Sequence, residues 1–344
     1  MGLPIAQVLA PDGRLVGEHD FTLDDLRGFH RDLVLARRID TESFALQRHG
    51  ELGLWPPMLG QEAAQIGSGR ALQPADFVFP SYREHAVSWC RGIDPAKLLG
   101  MFRGTSLGGW DPAEYNYALP AIVIGAQTLH AVGYGIGTML EGKSEAVVTY
   151  FGDGATSQGD TNEAFVWAAS YNAPVVFFCQ NNQYAISVPL ERQTKVPIAQ
   201  RAAGFGFEGV RVDGNDVLAV HQVTSQALRK ARDGQGPTLI EAITYRMGAH
   251  TTSDDPSRYR DRHEGDDWAA RDPLLRLRLH LSEIDSGFAD FDEAVQAEAE
   301  QLGEHLREVC QNLPDPDLAD LFAHVYAEEP DELIAQSQEV ASWS

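Results

Sequence analysis

Cysteine is scarce in this chain of 344 residues. Its three cysteines, Cys90, Cys179 and Cys310, lie far apart and form neither a CxxC pair nor a disulfide framework. Such sparse cysteine usage fits a reducing cytosol. Residues 1–13 have no basic stretch and no long apolar core, so we expect no secretion signal and a cytoplasmic location.

Positive charge and long apolar runs are also lacking. There are 27 lysines and arginines against 50 acidic residues, which gives a net charge of −23. Nucleic acid and anionic membranes are bound through basic surfaces, so we expect neither as a partner. The longest apolar runs, such as residues 175–179, are too short to cross a bilayer. The hydrophobic fraction of 43% is that of an ordinary globular protein.

Much of the acidic excess lies near the end of the chain. Residues 281–344 contain 17 acidic residues and a single arginine, Arg307, with no lysine. A solvated helical face is the default explanation of such a run, and recognition of a basic partner domain is the alternative. We therefore divide the chain into an N-terminal arm with the start of the first helix (1–30), a central domain (31–280) and an acidic helical segment (281–344).

Strands and helices alternate in the central domain. Short buried strands are predicted at residues 76–80, 146–151, 175–180, 210–213 and 238–244. Helices are predicted at 23–50 with Thr22 as the N-cap, and at 60–72, 125–140, 160–171 and 217–232. This alternation predicts an α/β fold, with a parallel sheet flanked by helices and helical additions at both ends. The polar stretch 246–268 is longer than a simple connection, which favours a functional loop.

A glycine-rich motif, GYGIG at residues 133–137, suggests dinucleotide binding. However, no strand directly precedes it, and its spacing is not that of the dinucleotide-binding fingerprint. Close packing of a helix against its neighbours is the better interpretation.

Two polar motifs follow predicted strands directly. Gly152-Asp153-Gly154 follows the strand at 146–151, and Asn181-Asn182 follows the strand at 175–180. Open α/β sheets bind ligands at the carboxyl ends of their strands. Magnesium accepts a few protein oxygens together with substrate phosphates, and glycines allow a phosphate to approach the backbone. The pair predicts a metal–diphosphate site, although each motif alone is usually a turn or a strand-end cap.

The two motifs, separated by 26 residues, resemble the thiamine diphosphate signature. The surrounding sequence resembles the alpha subunit of the decarboxylating component of 2-oxo acid dehydrogenase complexes. The likeness extends over residues 20–280 and includes SYREH at 81–85, IVIGAQ at 122–127, VDGNDVLAV at 212–220 and GPTLIEAITYRMGAHTTSDDPSRYR at 236–260. It implies a thiamine diphosphate-binding fold, with thiamine diphosphate and Mg²⁺ as cofactors.

The resemblance also assigns site residues. It implies that the side chains of Asp153 and Asn182 and the carbonyl of Tyr184 bind Mg²⁺. The remaining cofactor contacts fall on Tyr82, Arg83, Arg246 and His250 at the diphosphate, on the backbone of Gly154 and Ala155, on the backbone of Ile122 and Ile124 at the aminopyrimidine, and on Ile186 as an apolar wedge beneath the cofactor.

His250 is the candidate catalytic side chain, because an imidazole beside the diphosphate can transfer protons near neutral pH. The alternative is a purely structural phosphate ligand. His85 is a weaker candidate for substrate contact, and a core or surface histidine is an equal alternative. Trp55-Pro56-Pro57 suggests a substrate entrance, but a packing corner is the stronger interpretation.

The resemblance implies an oxidative decarboxylation with acyl transfer to a lipoyl-bearing acyltransferase. It also implies an α₂β₂ heterotetramer in which the beta subunit supplies an activating glutamate. NNQYAIS and TTSDDPSRYR resemble branched-chain enzymes, whereas IVIGAQ and YREH resemble pyruvate enzymes. A branched-chain substrate of the 3-methyl-2-oxobutanoate type is therefore preferred, followed by pyruvate and then acetoin. A non-catalytic phosphate-binding protein and a scaffold acting through its acidic helices are the rival functions.

Overall fold

A parallel β-sheet forms the centre of the molecule. The computed structural model describes residues 3–106, 108–323 and 325–343. The strands are β1 (Ile5–Ala6), β2 (Phe77–Phe79), β3 (Val147–Gly152), β4 (Val175–Asn181), β5 (Tyr184–Ala185), β6 (Val188–Pro189), β7 (Glu208–Asp213) and β8 (Thr238–Ile243). The sheet has the order β1-β7-β8-β4-β3-β2, and β5 and β6 form a separate antiparallel hairpin.

Helices surround this sheet and extend beyond it. They are α1 (Leu23–Arg48), α2 (Glu62–Arg70), α3 (His85–Cys90), α4 (Pro95–Arg103), α5 (Pro112–Tyr115), α6 (Ala126–Leu140), α7 (Gly159–Tyr171), α8 (Leu190–Gln193), α9 (Ala202–Phe205), α10 (Val217–Arg232), α11 (Asp266–Ala269), α12 (Pro273–Ile284), α13 (Phe288–Gln311) and α14 (Asp331–Ala341). Short 3₁₀ turns occur at Asp153–Ser157, Ile198–Arg201, Pro256–Arg258 and Leu318–Leu321.

The predicted α/β fold is confirmed, and the five predicted strands are β2, β3, β4, β7 and β8. All seven residues of β4 are buried, as expected for a central strand covered on both faces. Thr22 begins α1 with a reciprocal capping box to Asp25, which satisfies two backbone donors. Strand β1, the β5–β6 hairpin and the helices α3 to α5 were not predicted, because these short elements have too little periodicity.

The GYGIG glycines lie inside α6, as the packing interpretation predicted. At Gly135 a Cβ atom would come within 3.0 Å of Val175 on β4, so glycine allows this helix to approach the sheet closely. Gly133 and Gly137 have no described atom within 4 Å of their Cβ positions. The close packing within this chain is therefore carried by Gly135 alone of the three.

Helix α13 packs along α1 and belongs to the main body of the protein. Leu306 and Cys310 are fully buried in a cluster that includes Ile39 and Leu46 of α1. Acidic side chains of α13 also pair with arginines of α1, and Arg38 lies 2.7 Å from Glu300. The division proposed at residue 281 falls inside α12 and marks no structural boundary. Only the part beyond α13 is largely exposed, and α14 has no buried residue.

None of the helices within the described ranges is both long and apolar enough to cross a membrane.

The strand order determines what meets at the carboxyl edge of the sheet. Strands β2, β3, β4 and β8 are adjacent, and the final residues of β3, β4 and β8 lie nearly level, whereas β2 ends opposite Thr149 of β3. Gly152 at the end of β3 pairs with Gln180 of β4, and Asn181 pairs with Ile243 of β8. The segments that follow these four strands therefore converge, although they are far apart in the sequence.

Candidate active site

A cavity of about 450 Å³ lies at this carboxyl edge, a size that suits a small organic ligand. Most of the predicted site residues line it together, namely Tyr82, Arg83, Ile122, Ile124, Asp153, Gly154, Ala155, Asn182, Tyr184, Ile186 and His250. Arg246 and His85 are not among its lining residues.

Asp153 has the properties of a cation ligand. The residue is 1% exposed and begins the 3₁₀ turn that follows β3. Its Oδ2 atom accepts a 2.6 Å hydrogen bond from Nε2 of Gln193, whereas Oδ1 is buried and has no partner among the described residues. Burial raises the pKa of this carboxyl to about 6. Burying a carboxylate oxygen without a hydrogen-bond donor costs free energy, and a bound cation would stabilise the ionised carboxylate.

Asn182 lies in the same cavity and offers an amide oxygen. Its Oδ1 atom accepts the backbone N–H of Tyr184 at 3.3 Å, and its Nδ2 atom donates to Oε1 of Gln61 at 3.1 Å. Within the described part of the chain, no three His, Cys, Asp or Glu residues are arranged to hold a metal. One carboxylate and one amide suit a hard cation that takes its other oxygens from phosphates and water.

The backbone around Asp153 is arranged for close approach by a ligand. At Gly154 a Cβ atom would lie 2.7 Å from the Cβ of Ala185, so a side chain here would displace the β5 segment. Gly154 and Ala155 lie at the start of the 3₁₀ turn that follows β3, and the start of a helix is a favourable place for an anion. The glycine therefore keeps the floor of the cavity open beside the candidate metal site.

Arg246 lies behind the cavity wall. It is fully buried and donates through Nη1 to the carbonyl of Tyr184 at 3.3 Å and through Nη2 to the carbonyl of Ile186 at 2.7 Å. Nη2 also donates to the Tyr259 hydroxyl at 2.9 Å. A carbonyl oxygen has two lone pairs, so Tyr184 retains one for a cation. The contacts of Arg246 hold the backbone of this segment rather than lining the cavity.

Ile186 occupies a strained backbone position. Its φ angle is 54°, in the left-handed region that β-branched residues rarely adopt, and its side chain is 55% exposed. The residue lies in the turn between β5 and β6 and lines the cavity. Strain of this kind is found at functional sites and is held by surrounding contacts, here the hydrogen bond from Arg246. The position fits the predicted apolar support for a ligand.

Tyr82, Arg83 and His250 form one wall. Arg83 Nη2 lies 2.9 Å from the carbonyl and 3.2 Å from Nδ1 of His250, and Nη1 donates to the Pro57 carbonyl at 2.6 Å. The Tyr82 ring meets the His250 ring edge to face at 6.1 Å between centroids. A guanidinium, a phenol and an imidazole on one wall are suitable donors to a diphosphate.

The surroundings of His250 determine its protonation state. Nδ1 faces guanidinium donors from Arg83 at 3.2 Å and Arg246 at 3.4 Å, so the ring carries its proton on Nε2. Burial and these two positive charges lower the pKa of His250 to about 4. The ring is therefore neutral at pH 7, and proton transfer near neutral pH requires an anion that offsets the guanidinium charges. A diphosphate is such an anion.

The loop that carries His250 is held by Asp254. Its Oδ2 atom accepts the backbone N–H of His250 at 2.8 Å and the hydroxyl of Tyr259 at 2.5 Å. The prediction of a polar loop at 246–268 located this segment, but Asp254 and Tyr259 were not singled out as its internal ties.

The suggested substrate contact of His85 does not fit its position. His85 is 3% exposed, its ring stacks on Trp55 at 4.2 Å, and Nε2 lies 3.1 Å from the Pro56 carbonyl. Burial lowers the pKa of this imidazole to about 3, which makes it a neutral core residue. Trp55 is also completely buried, whereas Pro56 lines the cavity. Trp55 is thus the packing corner that was the stronger interpretation.

Sequence reasoning missed several polar residues beneath the cavity. Glu84 is buried, accepts hydrogen bonds from Gln180 at 2.6 Å and Ser81 at 2.7 Å, and has its pKa raised by burial. Gln61 and Gln193 contact the two candidate metal ligands. No spacing signal identifies them, because an isolated glutamine is a common surface residue.

One side of the cavity is open and apolar. Ile122, Val123 and Ile124, the residues before α6, are 69%, 72% and 40% exposed. We call these three residues the apolar rim. Consecutive exposed aliphatic side chains beside a ligand cavity are typical of a surface that another protein covers.

The chain is similar to known proteins over nearly all of its length. The family model described as "Dehydrogenase E1 component" matches residues 30–315. The 3-methyl-2-oxobutanoate dehydrogenase subunit alpha of Mycobacterium tuberculosis is 44% identical over 97% of this chain and 92% of its own. Pyruvate dehydrogenase E1 component subunits alpha are 36% identical in Bacillus cereus, over 96% and 90% of the two chains, and 41% identical in Bacillus subtilis, over 80% and 76%. The chain therefore belongs to the dehydrogenase E1 component family, which depends on thiamine diphosphate.

Proposed function

We propose that this chain is the alpha subunit of the decarboxylating component of a 2-oxo acid dehydrogenase complex. In this proposal it acts in the cytoplasm with thiamine diphosphate and Mg²⁺ on a branched-chain 2-oxo acid of the 3-methyl-2-oxobutanoate type. The acyl group passes to the lipoyl group of an acyltransferase. The observation that carries the proposal is the convergence of Tyr82, Arg83, Asp153, Asn182 and His250 on one cavity.

Mg²⁺ is held in this proposal by Asp153, Asn182 and the Tyr184 carbonyl. The unpartnered Oδ1 of Asp153 supports this assignment, because this buried carboxylate oxygen has no hydrogen-bond donor among the described residues. Tyr82, Arg83 and the backbone of Gly154 and Ala155 bind the diphosphate. The backbone of Ile122 and Ile124 and the side chain of Ile186 meet the organic part of the cofactor. Arg246 contributes by holding the backbone of Tyr184 and Ile186.

Thiamine diphosphate, when bound, supplies the electron sink that decarboxylation of a 2-oxo acid requires. The contribution of this chain is binding, orientation and proton placement. His250 keeps its Nδ1 atom against the two arginines and is left with an Nε2–H donor. Near a diphosphate the positive charges of Arg83 and Arg246 are offset, which raises the pKa of His250 toward the range useful for proton transfer.

A beta subunit completes the site in this proposal. It covers the apolar rim, supplies the activating glutamate and forms the α₂β₂ heterotetramer. The exposure of Ile122, Val123 and Ile124 beside the cavity supports the need for such a partner. Excluding water from this side would also strengthen the polar contacts inside. The isolated chain is therefore expected to be inactive.

The substrate preference is drawn from relatives. The relative with 44% identity is named for 3-methyl-2-oxobutanoate, and those named for pyruvate are 36% and 41% identical. Pyruvate is the second candidate and acetoin the third. One methylene in an apolar pocket changes specificity by only about 1–3 kcal/mol, so a few side chains on both subunits decide it.

The test is decarboxylation by the chain co-expressed with a beta subunit. Thiamine diphosphate, Mg²⁺ and an artificial electron acceptor are supplied, and 3-methyl-2-oxobutanoate is compared with pyruvate. We expect a higher kcat/KM for the branched acid, and no turnover by the alpha chain alone. A preference for pyruvate would change the proposed substrate but leave the proposed reaction intact. Turnover by the alpha chain alone would exclude an active site shared between two subunits.

A cofactor titration separates the proposal from its rivals. A non-catalytic phosphate-binding protein would respond to ATP or NAD, whereas we expect only thiamine diphosphate with Mg²⁺ to raise the melting temperature of the αβ assembly. For the rival scaffold function, removal of residues 281–344 would separate partner recruitment from decarboxylation. Because α13 packs into the main body, the sharper variant removes only the exposed part after α13.

A further inference from the structure

We propose that Gln61 and Gln193 are positioning residues that aim the oxygens of Asp153 and Asn182 at a bound divalent cation. The proposal rests on the proposed function and deepens it. Gln61 lies directly before α2, and Gln193 ends α8, so neither is a sequence neighbour of the residue that it contacts. Each nevertheless makes a side-chain hydrogen bond to one of the two candidate ligands.

Gln193 acts on Asp153 through its donor. Its Nε2 atom donates to Oδ2 of Asp153 at 2.6 Å and to the carbonyl of Val188 at 3.1 Å. An ionised carboxylate only accepts hydrogen bonds, so the amide must present its N–H₂ group to it. The bond occupies Oδ2 and leaves Oδ1 as the carboxylate oxygen without a described partner. Gln193 thereby determines which oxygen is available to a cation.

Gln61 acts on Asn182 through its acceptor. The backbone N–H of Tyr184 fixes Oδ1 of Asn182, so Nδ2 of Asn182 points to Oε1 of Gln61 at 3.1 Å. This bond prevents the Asn182 amide from rotating by half a turn, which would present its N–H₂ group to the cation. Gln61 is 1% exposed, and its side chain makes no capping bond to α2. The side chain of Gln61 therefore contacts the candidate metal ligand and does not cap the helix.

Both glutamines retain an unused polar atom. Nε2 of Gln61 and Oε1 of Gln193 are buried and have no partner within the described ranges. Gln61 also lines the cavity. Buried polar atoms are almost always satisfied, so these two atoms are expected to gain partners when the site is filled. A Gln61 donor suits a phosphate oxygen or an ordered water beside the cation.

The two roles predict opposite results for the same substitution. Gln61→Glu keeps an oxygen acceptor for Asn182, whereas Gln193→Glu removes the donor and places a second carboxylate against Asp153. Gln61→Met and Gln193→Met keep the approximate size and remove the hydrogen bond at each position. Gln200→Met is the matched control, because Gln200 is exposed and lies outside the cavity lining.

The measurement is calorimetric binding of thiamine diphosphate to the αβ assembly at a series of Mg²⁺ concentrations. Residues that hydrogen-bond to metal ligands typically contribute about 10–100-fold to metal affinity. We expect Gln61→Met, Gln193→Met and Gln193→Glu to raise the half-saturating Mg²⁺ concentration at least about tenfold. Gln200→Met should stay close to the unsubstituted protein, and Gln61→Glu, which loses the Nε2 donor but keeps the acceptor for Asn182, should lose less Mg²⁺ affinity than Gln61→Met. Melting temperatures of the metal-free assemblies show whether each variant folds.

Two outcomes would overturn the inference. Unchanged Mg²⁺ dependence in the folded Met variants would show that the glutamines only pack against the ligands. Equal losses in Gln61→Glu and Gln61→Met would exclude the acceptor role of Gln61. The unsubstituted assembly separates the two proposals, because absence of Mg²⁺-dependent cofactor binding there would reject the proposed function itself.

Discussion

Nη2 of Arg83 lies 3.2 Å from Nδ1 of His250 and donates to the carbonyl of the same residue at 2.9 Å. One guanidinium group thus fixes both the position of His250 and the tautomer of its ring. Arg246 adds a second positive charge at 3.4 Å from Nδ1. The charge on His250 is therefore controlled by whatever anion approaches the two arginines.

The first prediction concerns the titration of His250. In the metal-free chain its pKa should be about 4, because burial and the two arginines disfavour the imidazolium. Thiamine diphosphate with Mg²⁺ should raise it by at least about one unit. Since the folded pKa lies below the unfolded value of 6.5, this residue lowers stability as the pH falls from about 6.5 to about 4.

NMR of histidine-labelled protein measures this titration, and His250→Asn identifies the signal. His85 provides an internal comparison, since its pKa of about 3 should not respond to the cofactor. Titration of His250 near 6.5 in the free chain would contradict the described hydrogen bonds.

The second prediction is that Mg²⁺ affinity depends on the ionisation of Asp153. Its carboxyl has a pKa of about 6 in the metal-free protein, raised by burial from 3.8. A cation binds the ionised form, so affinity should fall about tenfold per pH unit below about 6. Calorimetry of Mg²⁺-dependent cofactor binding between pH 5 and pH 8 measures this slope.

Asp153→Asn is the matched variant for stability. The native state holds its proton longer than the unfolded state, so the stability of the free chain should fall as pH rises from about 4 to about 6. The variant should lack this change and be on the order of 2–3 kcal/mol more stable at pH 8, while losing Mg²⁺ binding. A destabilised Asp153→Asn chain at pH 8 would show that the charge is compensated by other contacts.

The third prediction concerns the strained turn at Ile186. Glycine adopts the observed φ of 54° without a steric penalty, whereas alanine does not. In the free chain, Ile186→Gly should therefore be about 1 kcal/mol more stable than Ile186→Ala. Both variants should bind thiamine diphosphate more weakly, because the exposed apolar side chain is lost. Chemical denaturation and calorimetry separate the two effects, and equal stability of the variants would argue against backbone strain.

The fourth prediction tests whether α13 belongs to the core. Leu306 is fully buried against α1, so Leu306→Ala should lower the free energy of unfolding by about 2–5 kcal/mol. Removal of residues 316–344 should change it by less than about 1 kcal/mol, because this part buries little apolar surface. Urea denaturation of the two variants provides the comparison. A similar loss of unfolding free energy in the two variants would show that residues 316–344 also stabilise the fold.

The sequence alone predicted the architecture, and the expected meeting of Asp153 and Asn182 in one cavity has a physical reason. Asp153 and Asn182 each follow a strongly apolar strand, and strand ends of a parallel sheet meet at one edge. Helix α10 was predicted at its observed bounds, because its apolar positions recur with helical spacing and Asp216 caps it. In these elements the local sequence pattern predicts the same secondary structure that the folded chain adopts.

Other features depend on contacts between distant segments. The Gln61–Asn182 bond spans 121 residues, and no local pattern marks either partner. His85 looked available for substrate, but its ring is covered by Trp55 from another segment. The acidic residues of α13 looked solvated, but Glu298 and Glu300 pair with arginines of α1, as in the 2.7 Å contact of Glu300 with Arg38. Such pairings are decided by tertiary packing.

The apolar rim has a consequence for the chain before it finds a partner. Three consecutive aliphatic residues, Ile122, Val123 and Ile124, face solvent beside an open cavity, which favours self-association of unassembled subunits. The net charge of −23 opposes this through mutual repulsion, most effectively at low ionic strength. The colloidal stability of the chain on its own should therefore decline as salt is added.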